Sequence, residues 1–103
     1  MELRRAIGRV SNHMANFDVR FTCIDDYGES IEYIAPLKDM AFAWKHSDGH
    51  SFMPENGAII RGLMFVDQEG AMIMVNSQDT SETTFEDLMR MVFGQDGKKK
   101  EEI

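Results

Sequence analysis

The stretch "FVDQEGAMIMV", residues 65–75, decides the fold class because it repeats a pattern of "CIDDYGESIEYI", residues 23–34. In both stretches an aspartate is followed three positions later by a glycine and then by an apolar run. Such an aspartate can accept the backbone N–H two residues on, and the glycine adopts the left-handed conformation that closes a hairpin turn. The sequence therefore predicts two β-hairpins, pairing 17–24 with 30–35 and 58–66 with 71–76. Duplication and convergence on the same turn chemistry both remain open as explanations of the repeat.

Three other segments carry apolar residues at helical spacing. The stripes are Leu3, Ile7, Val10 and Met14; Leu37, Met40, Ala41 and Trp44; and Phe85, Leu88, Met89 and Val92. Pro36 is tolerated in a first helical turn, and the second helix is expected to end before 48–49, although "AFAW" also fits a strand. Thr83 and Glu86 have the spacing of a capping box, and Gly94 suits the end of the third helix.

The predicted order of elements is α-ββ-α-ββ-α. This order indicates an α+β fold, with a small antiparallel β-sheet made of two hairpins and about three helices. Residues 1–94 are expected to form a single compact domain, since 103 residues suit one domain. Residues 95–103, "QDGKKKEEI", have no apolar side chain before the last position and are expected to form a flexible charged tail.

Composition restricts the compartment and the kind of partner. The formal net charge of −7 makes a nucleic-acid partner unlikely, because such a chain repels phosphate. No apolar run reaches the roughly 18 residues of a membrane helix, and the first residues lack the apolar core of a secretory signal. Cys23 is the single cysteine, which fits a reducing cytoplasm, and its place on the apolar side of a strand favours packing over nucleophilic chemistry.

The second hairpin differs from the first in having apolar residues on both faces. In the first, apolar and polar residues alternate, which is typical of a sheet with one buried face. In the second, helices could cover both faces, or a second chain could cover one of them. The second interpretation predicts a homodimer with Met64, Met72 and Met74 in the interface, because a large exposed apolar patch is unusual in a monomer.

An acid-rich cluster surrounds the first turn, where no lysine or arginine lies nearby in sequence. The cluster comprises Asp25, Asp26, Tyr27, Glu29 and Glu32. Carboxylates at a turn can attract a basic partner over a distance, and tyrosine is enriched among the residues that dominate binding energy. We therefore predict that these residues contact a basic surface of another protein.

Motifs for chemistry are few. No nucleophile elbow, phosphate-binding glycine loop or paired zinc knuckle is present, so no catalytic residue and no cofactor is predicted. His46, Asp48 and His50 are the candidate metal ligands, although the Asp48-Gly49 pair indicates a solvated turn.

Three functional classes are compatible with these features. The first is a small acidic protein that binds another protein and occupies its surface. Inhibitors, immunity proteins and antagonists encoded by phages or mobile elements often have such a composition. The second is a structural or regulatory homo-oligomer joined through residues 58–76. The third is a small enzyme or ligand-binding domain that uses His46, Asp48 and His50.

Overall fold

The computed structural model describes residues 1–25, 27–46 and 53–101, and side chains within these ranges up to Phe93. The helices and strands follow the predicted α-ββ-α-ββ-α order, which confirms the α+β class. They are α1 (Leu3–Val10), β1 (Phe17–Ile24), β2 (Ser30–Pro36), α2 (Leu37–His46), β3 (Ile60–Asp67), β4 (Met72–Met74) and α3 (Phe85–Glu101). Short 3-10 helices at Met14–Asn16 and Ser77–Thr80 precede β1 and follow β4.

The two hairpins join through their first strands. All neighbouring strands are antiparallel, and the order across the sheet is β2-β1-β3-β4. Central β1 pairs with β3 from Phe17 opposite Asp67 to Cys23 opposite Ile60, and the register shifts between Thr22 and Cys23. Because β1 and β3 run in opposite directions, the turns of the two hairpins lie at opposite ends of the sheet.

All three helices contribute to a hydrophobic core on one face of this sheet. Val19, Phe21 and Cys23 alternate with more exposed residues along β1, and their side chains are buried. The core also includes Leu63, Phe65 and Ile73 from β3 and β4, with α1, α2 and α3 residues packed against them: Leu3, Ala6, Ile7, Val10, Leu37, Met40, Phe85, Leu88, Met89 and Val92. The prediction that helices could cover both faces of the second hairpin is therefore wrong.

The start of α3 is one residue later than its predicted capping box. Thr84, rather than Thr83, is the capping residue: its Oγ1 accepts the N–H of Asp87 at 3.1 Å, and Asp87 Oδ2 accepts the N–H of Thr84 at 3.2 Å. Reciprocal bonds of this kind satisfy backbone donors that the first helical turn leaves unpaired. Ile60 N–H donates to the Thr83 carbonyl, which ties Thr83 to β3 and leaves Thr84 to begin the helix.

The end of α3 also differs from the prediction. The helix continues through Gly94 to Glu101, so residues 95–101 are helical rather than irregular. A glycine inside a helix costs only about 1 kcal/mol relative to alanine, and the lysines and glutamates that follow are good helix formers. The flexibility expected of residues 95–103 stays a prediction.

The first residue of the chain lies along β4. The Met1 amino group donates to the Met74 carbonyl at 2.7 Å, and Asn76 N–H donates to the Met1 carbonyl at 2.9 Å. These bonds cover part of the outer edge of the sheet, which otherwise presents unpaired backbone groups.

Within the described residues, no helix has both the length and the apolar character needed to cross a bilayer.

Candidate functional site

The tip of the first hairpin is a hydrogen-bonded turn that exposes one aromatic side chain. Asp25 Oδ1 accepts the N–H of Tyr27 at 2.9 Å and that of Glu29 at 2.8 Å. The Asp25 N–H also donates to the Glu29 carbonyl at 2.9 Å, and Gly28 has a φ of 80°. Asp25 thus holds the backbone N–H groups of Tyr27 and Glu29, and the Tyr27 side chain is 91% exposed.

The second hairpin has the same turn. Asp67 Oδ1 accepts the N–H groups of Glu69 and Ala71, each at 2.9 Å, and Gly70 has a φ of 89°. The predicted repeat of turn chemistry is therefore present in atomic detail. Glu69 occupies the position that corresponds to Tyr27, so the second turn has the same backbone bonds without the aromatic side chain.

The structure separates the predicted acidic cluster into residues with different roles. Asp25 holds the turn, since both of the bonds just described reach its carboxylate. Asp26 lies outside the described residues. Glu29 is exposed in the turn, and Glu32 is exposed on β2, opposite Thr22 of β1. In the described part of the chain the only ion pair joins Arg90 and Glu86, so no described cation pairs with the carboxylates near Tyr27.

A second surface covers the face of the sheet that the helices leave uncovered, here called the open face. It includes two rows of residues that cross all four strands, and a third row of Glu32, Thr22 and Gly62 that crosses β2, β1 and β3. The arginine row is Ile34, Arg20, Met64 and Met74, and the aspartate row is Pro36, Asp18, Val66 and Met72.

The predicted interface methionines all lie on the open face. Met72 and Met74 are 60% and 59% exposed, whereas Met64 on the inner strand is half-buried. Sequence reasoning missed Ile34, which is 51% exposed, and the two charged residues between the apolar ones, Asp18 and Arg20. The alternation of β1 was the available signal, because it places both charges opposite the core.

Cys23 is a packing residue of the core. Its side chain is 3% exposed, and burial raises the pKa of its thiol from 9.0 to about 11. A raised pKa keeps the thiol protonated at neutral pH, where only the thiolate is a good nucleophile. The geometry therefore gives Cys23 no catalytic assignment.

We expect the free energy of unfolding to fall by about 2 kcal/mol as the pH rises from 9 to 11 because of Cys23 alone. In this range the unfolded thiol ionises while the folded thiol stays protonated, so the unfolded state gains stability. Urea unfolding of the wild type and of Cys23→Ala at both pH values measures this effect. The difference between the two proteins should change with pH; a constant difference would contradict it.

The predicted metal ligands cannot be placed together from the described residues. The His46 ring lies 4.2 Å from the Phe42 ring at the end of α2, whereas Asp48 and His50 lie outside the described residues. Among the side chains of residues 1–25, 27–46 and 53–93 there is no group of three or more histidines, cysteines, aspartates or glutamates that could hold a metal ion.

Comparisons with known proteins return no match: no family model, no curated protein and no solved structure is similar to this chain. Function is therefore inferred from the two surfaces just described, the tip of the first hairpin and the open face.

Proposed function

We propose that this protein is a small acidic cytoplasmic module that binds another protein through the tip of its first hairpin. The observation that carries the proposal is the 91% exposure of Tyr27 on a turn whose backbone is held by Asp25. A hydrogen-bonded turn loses little conformational entropy on binding, and tyrosine supplies a large contact area with few rotatable bonds. Tyr27 is thus the residue that anchors the contact.

Charge defines the kind of surface that the tip binds. The chain has a net charge of −7, and two carboxylates are exposed in this hairpin: Glu29 in the turn and Glu32 on β2. Exposed carboxylates attract a basic surface from a distance and mainly accelerate association, while the apolar contact slows dissociation. The partner surface is therefore basic, with a cleft or groove that accepts an aromatic ring.

The mode of action that suits this geometry is occupation of a partner's surface. An inhibitor or antagonist of this kind blocks access sterically and needs no catalytic group of its own. Proteins encoded by phages and mobile elements to counter a host protein work in this way, as do immunity proteins. The single buried cysteine is consistent with action in a reducing cytoplasm.

The electrostatic part of the proposal predicts a slower association for the Glu29→Gln/Glu32→Gln variant. With the partner recovered by capture from the source cell, we expect association at low salt to slow by about 3- to 10-fold and to depend less on salt. Surface plasmon resonance at several salt concentrations measures both quantities. Asp25 is left unchanged in this design, because its carboxylate holds the turn.

The matched control is Asp39→Asn/Glu69→Gln, which removes the same amount of charge from exposed positions at the other end of the sheet. Glu69 lies in the second turn, at the opposite end of the sheet. The control should keep nearly the wild-type association rate. Equal rates for the tip variant and the wild type at low salt would show that the tip carboxylates only increase solubility.

A further inference from the structure

The open face carries exposed apolar side chains together with charged ones, as protein interfaces do. No described helix or loop packs on it. Its most exposed apolar side chains come from the two edge strands: Ile34 on β2 and Met72 and Met74 on β4 are each more than half exposed. Apolar groups of this size gathered on one flat face mark a protein contact more often than a free surface. The helices pack on the opposite face, so no described part of this chain covers the open face.

Charge identifies the partner of the open face as a second copy of this chain. The two charged residues within the two rows, Asp18 and Arg20, have opposite signs and lie two positions apart on β1. Neither makes an ion pair within the described part of the chain. A partner with a uniformly basic or acidic surface would match one of these charges and repel the other, whereas a second copy offers both.

The geometry points to a two-fold dimer in which two open faces stack, with the symmetry axis crossing the strands between the two rows. Such an axis places the arginine row of one copy over the aspartate row of the other. Each Asp18 then faces Arg20 of the other copy, and each Met72 faces Met74 of the other copy. Aligned stacking of two sheets about 10 Å apart is a common arrangement in β-sandwiches.

The size of the open face predicts a weak dimer. The two rows that overlap extend about 14 Å along the strands and about 19 Å across them, an area of roughly 250 Å² in projection. Two such areas bury on the order of 600 Å² of accessible area, below the size of most specific complexes, so we expect a dissociation constant of about 100 μM. This dimer leaves the proposed contact through Tyr27 accessible, because Tyr27 lies on the turn and Glu32 lies on the open face outside the two overlapping rows.

The first test is the concentration dependence of the mass, by sedimentation equilibrium of the full chain from about 1 to 500 μM. The wild type should change from monomer to dimer across this range. Met74→Lys should remain monomeric, because it buries an unpaired cation in the contact. Phe42→Lys is the matched control: Phe42 is 61% exposed, like Met74 at 59%, but lies on α2, and its variant should dimerise normally.

The second test separates contacts between copies from contacts within one chain. Asp18→Arg places two cations on each open face, and Arg20→Asp places two anions there, so each variant alone should dimerise at least about tenfold more weakly than the wild type. An equimolar mixture of the two should recover assembly as a heterodimer, since every facing pair is then of opposite sign. Circular dichroism of each variant checks that the substitution leaves the fold intact.

Two results would overturn the proposal. A wild type that is monomeric at the highest concentration would show that the open face does not join two copies of this chain. A wild type that dimerises while the Asp18→Arg and Arg20→Asp mixture stays monomeric would show that these charges do not face each other across the two-fold axis.

Discussion

Phe21→Ala should lower the free energy of unfolding by about 3–5 kcal/mol, a large part of the stability of a domain of this size. Phe21 is 2% exposed on central β1, and its ring stacks on those of Tyr33 at 5.3 Å and Phe85 at 5.7 Å. These contacts connect β1 to β2 and to α3, so truncation leaves a cavity where the sheet meets the helices. Urea unfolding followed by circular dichroism measures the loss.

Phe42→Ala is the control for that experiment, since it removes the same side chain from a position that is 61% exposed. We expect a change within about 0.5 kcal/mol for this variant. A loss below about 1 kcal/mol for Phe21→Ala would contradict the placement of Phe21 at the centre of the core.

Tyr27→Ala should speed dissociation of the partner at least about 30-fold, which corresponds to the 2 kcal/mol or more typical of a residue that dominates a contact. The free energy of unfolding should remain nearly unchanged, because the ring contacts solvent in the free protein. The two readouts together distinguish loss of a contact from loss of the fold. Surface plasmon resonance and urea unfolding on the same preparations measure both.

Glu69→Ala provides the matched control for Tyr27→Ala. Both residues occupy the same position of turns with the same aspartate bonds, so both substitutions perturb the local backbone equally. Only Tyr27→Ala should change the dissociation rate. Similar effects of the two substitutions would mean that the tyrosine ring is not the anchor.

Local patterns in the sequence predicted the elements of this fold because the physical causes are local. The aspartate and glycine of each turn act within five residues, and both turns form as expected. The alternation of β1 also predicted its buried face, including Cys23. The error at the start of α3 was a shift of one residue, since Thr83 and Thr84 are equally able to cap a helix and the bond from Ile60 to Thr83 decides between them.

The arrangement of the two hairpins was not predictable in the same way. The pairing of β1 with β3 joins residues far apart in the chain, and the sequence of β3 and β4 fits helices on one face or both. Once β1 pairs with β3, Asp18 and Arg20 must share a face with Met64, and burying both charges under a helix would be costly. The pairing therefore explains why one face stays open.

The role of Asp25 shows a similar limit for the candidate site. Its carboxylate was expected to contact a partner, yet it accepts two backbone N–H groups of its own turn. The sequence alone does not distinguish these two roles, because the same residue type can start a turn or attract a cation. The prediction of a contact at this tip is instead supported by Tyr27 and Glu29, which are exposed in the same turn.

The most direct test of the central claim, protein binding through Tyr27, is quantitative capture from a lysate of the source cell with three baits. The baits are the wild type, Tyr27→Ala and Glu69→Ala, and mass spectrometry compares the proteins that each recovers. We predict at least one protein recovered equally by the wild type and Glu69→Ala and strongly depleted with Tyr27→Ala. Recovery of the same proteins in the same amounts by the wild type and Tyr27→Ala would contradict the claim.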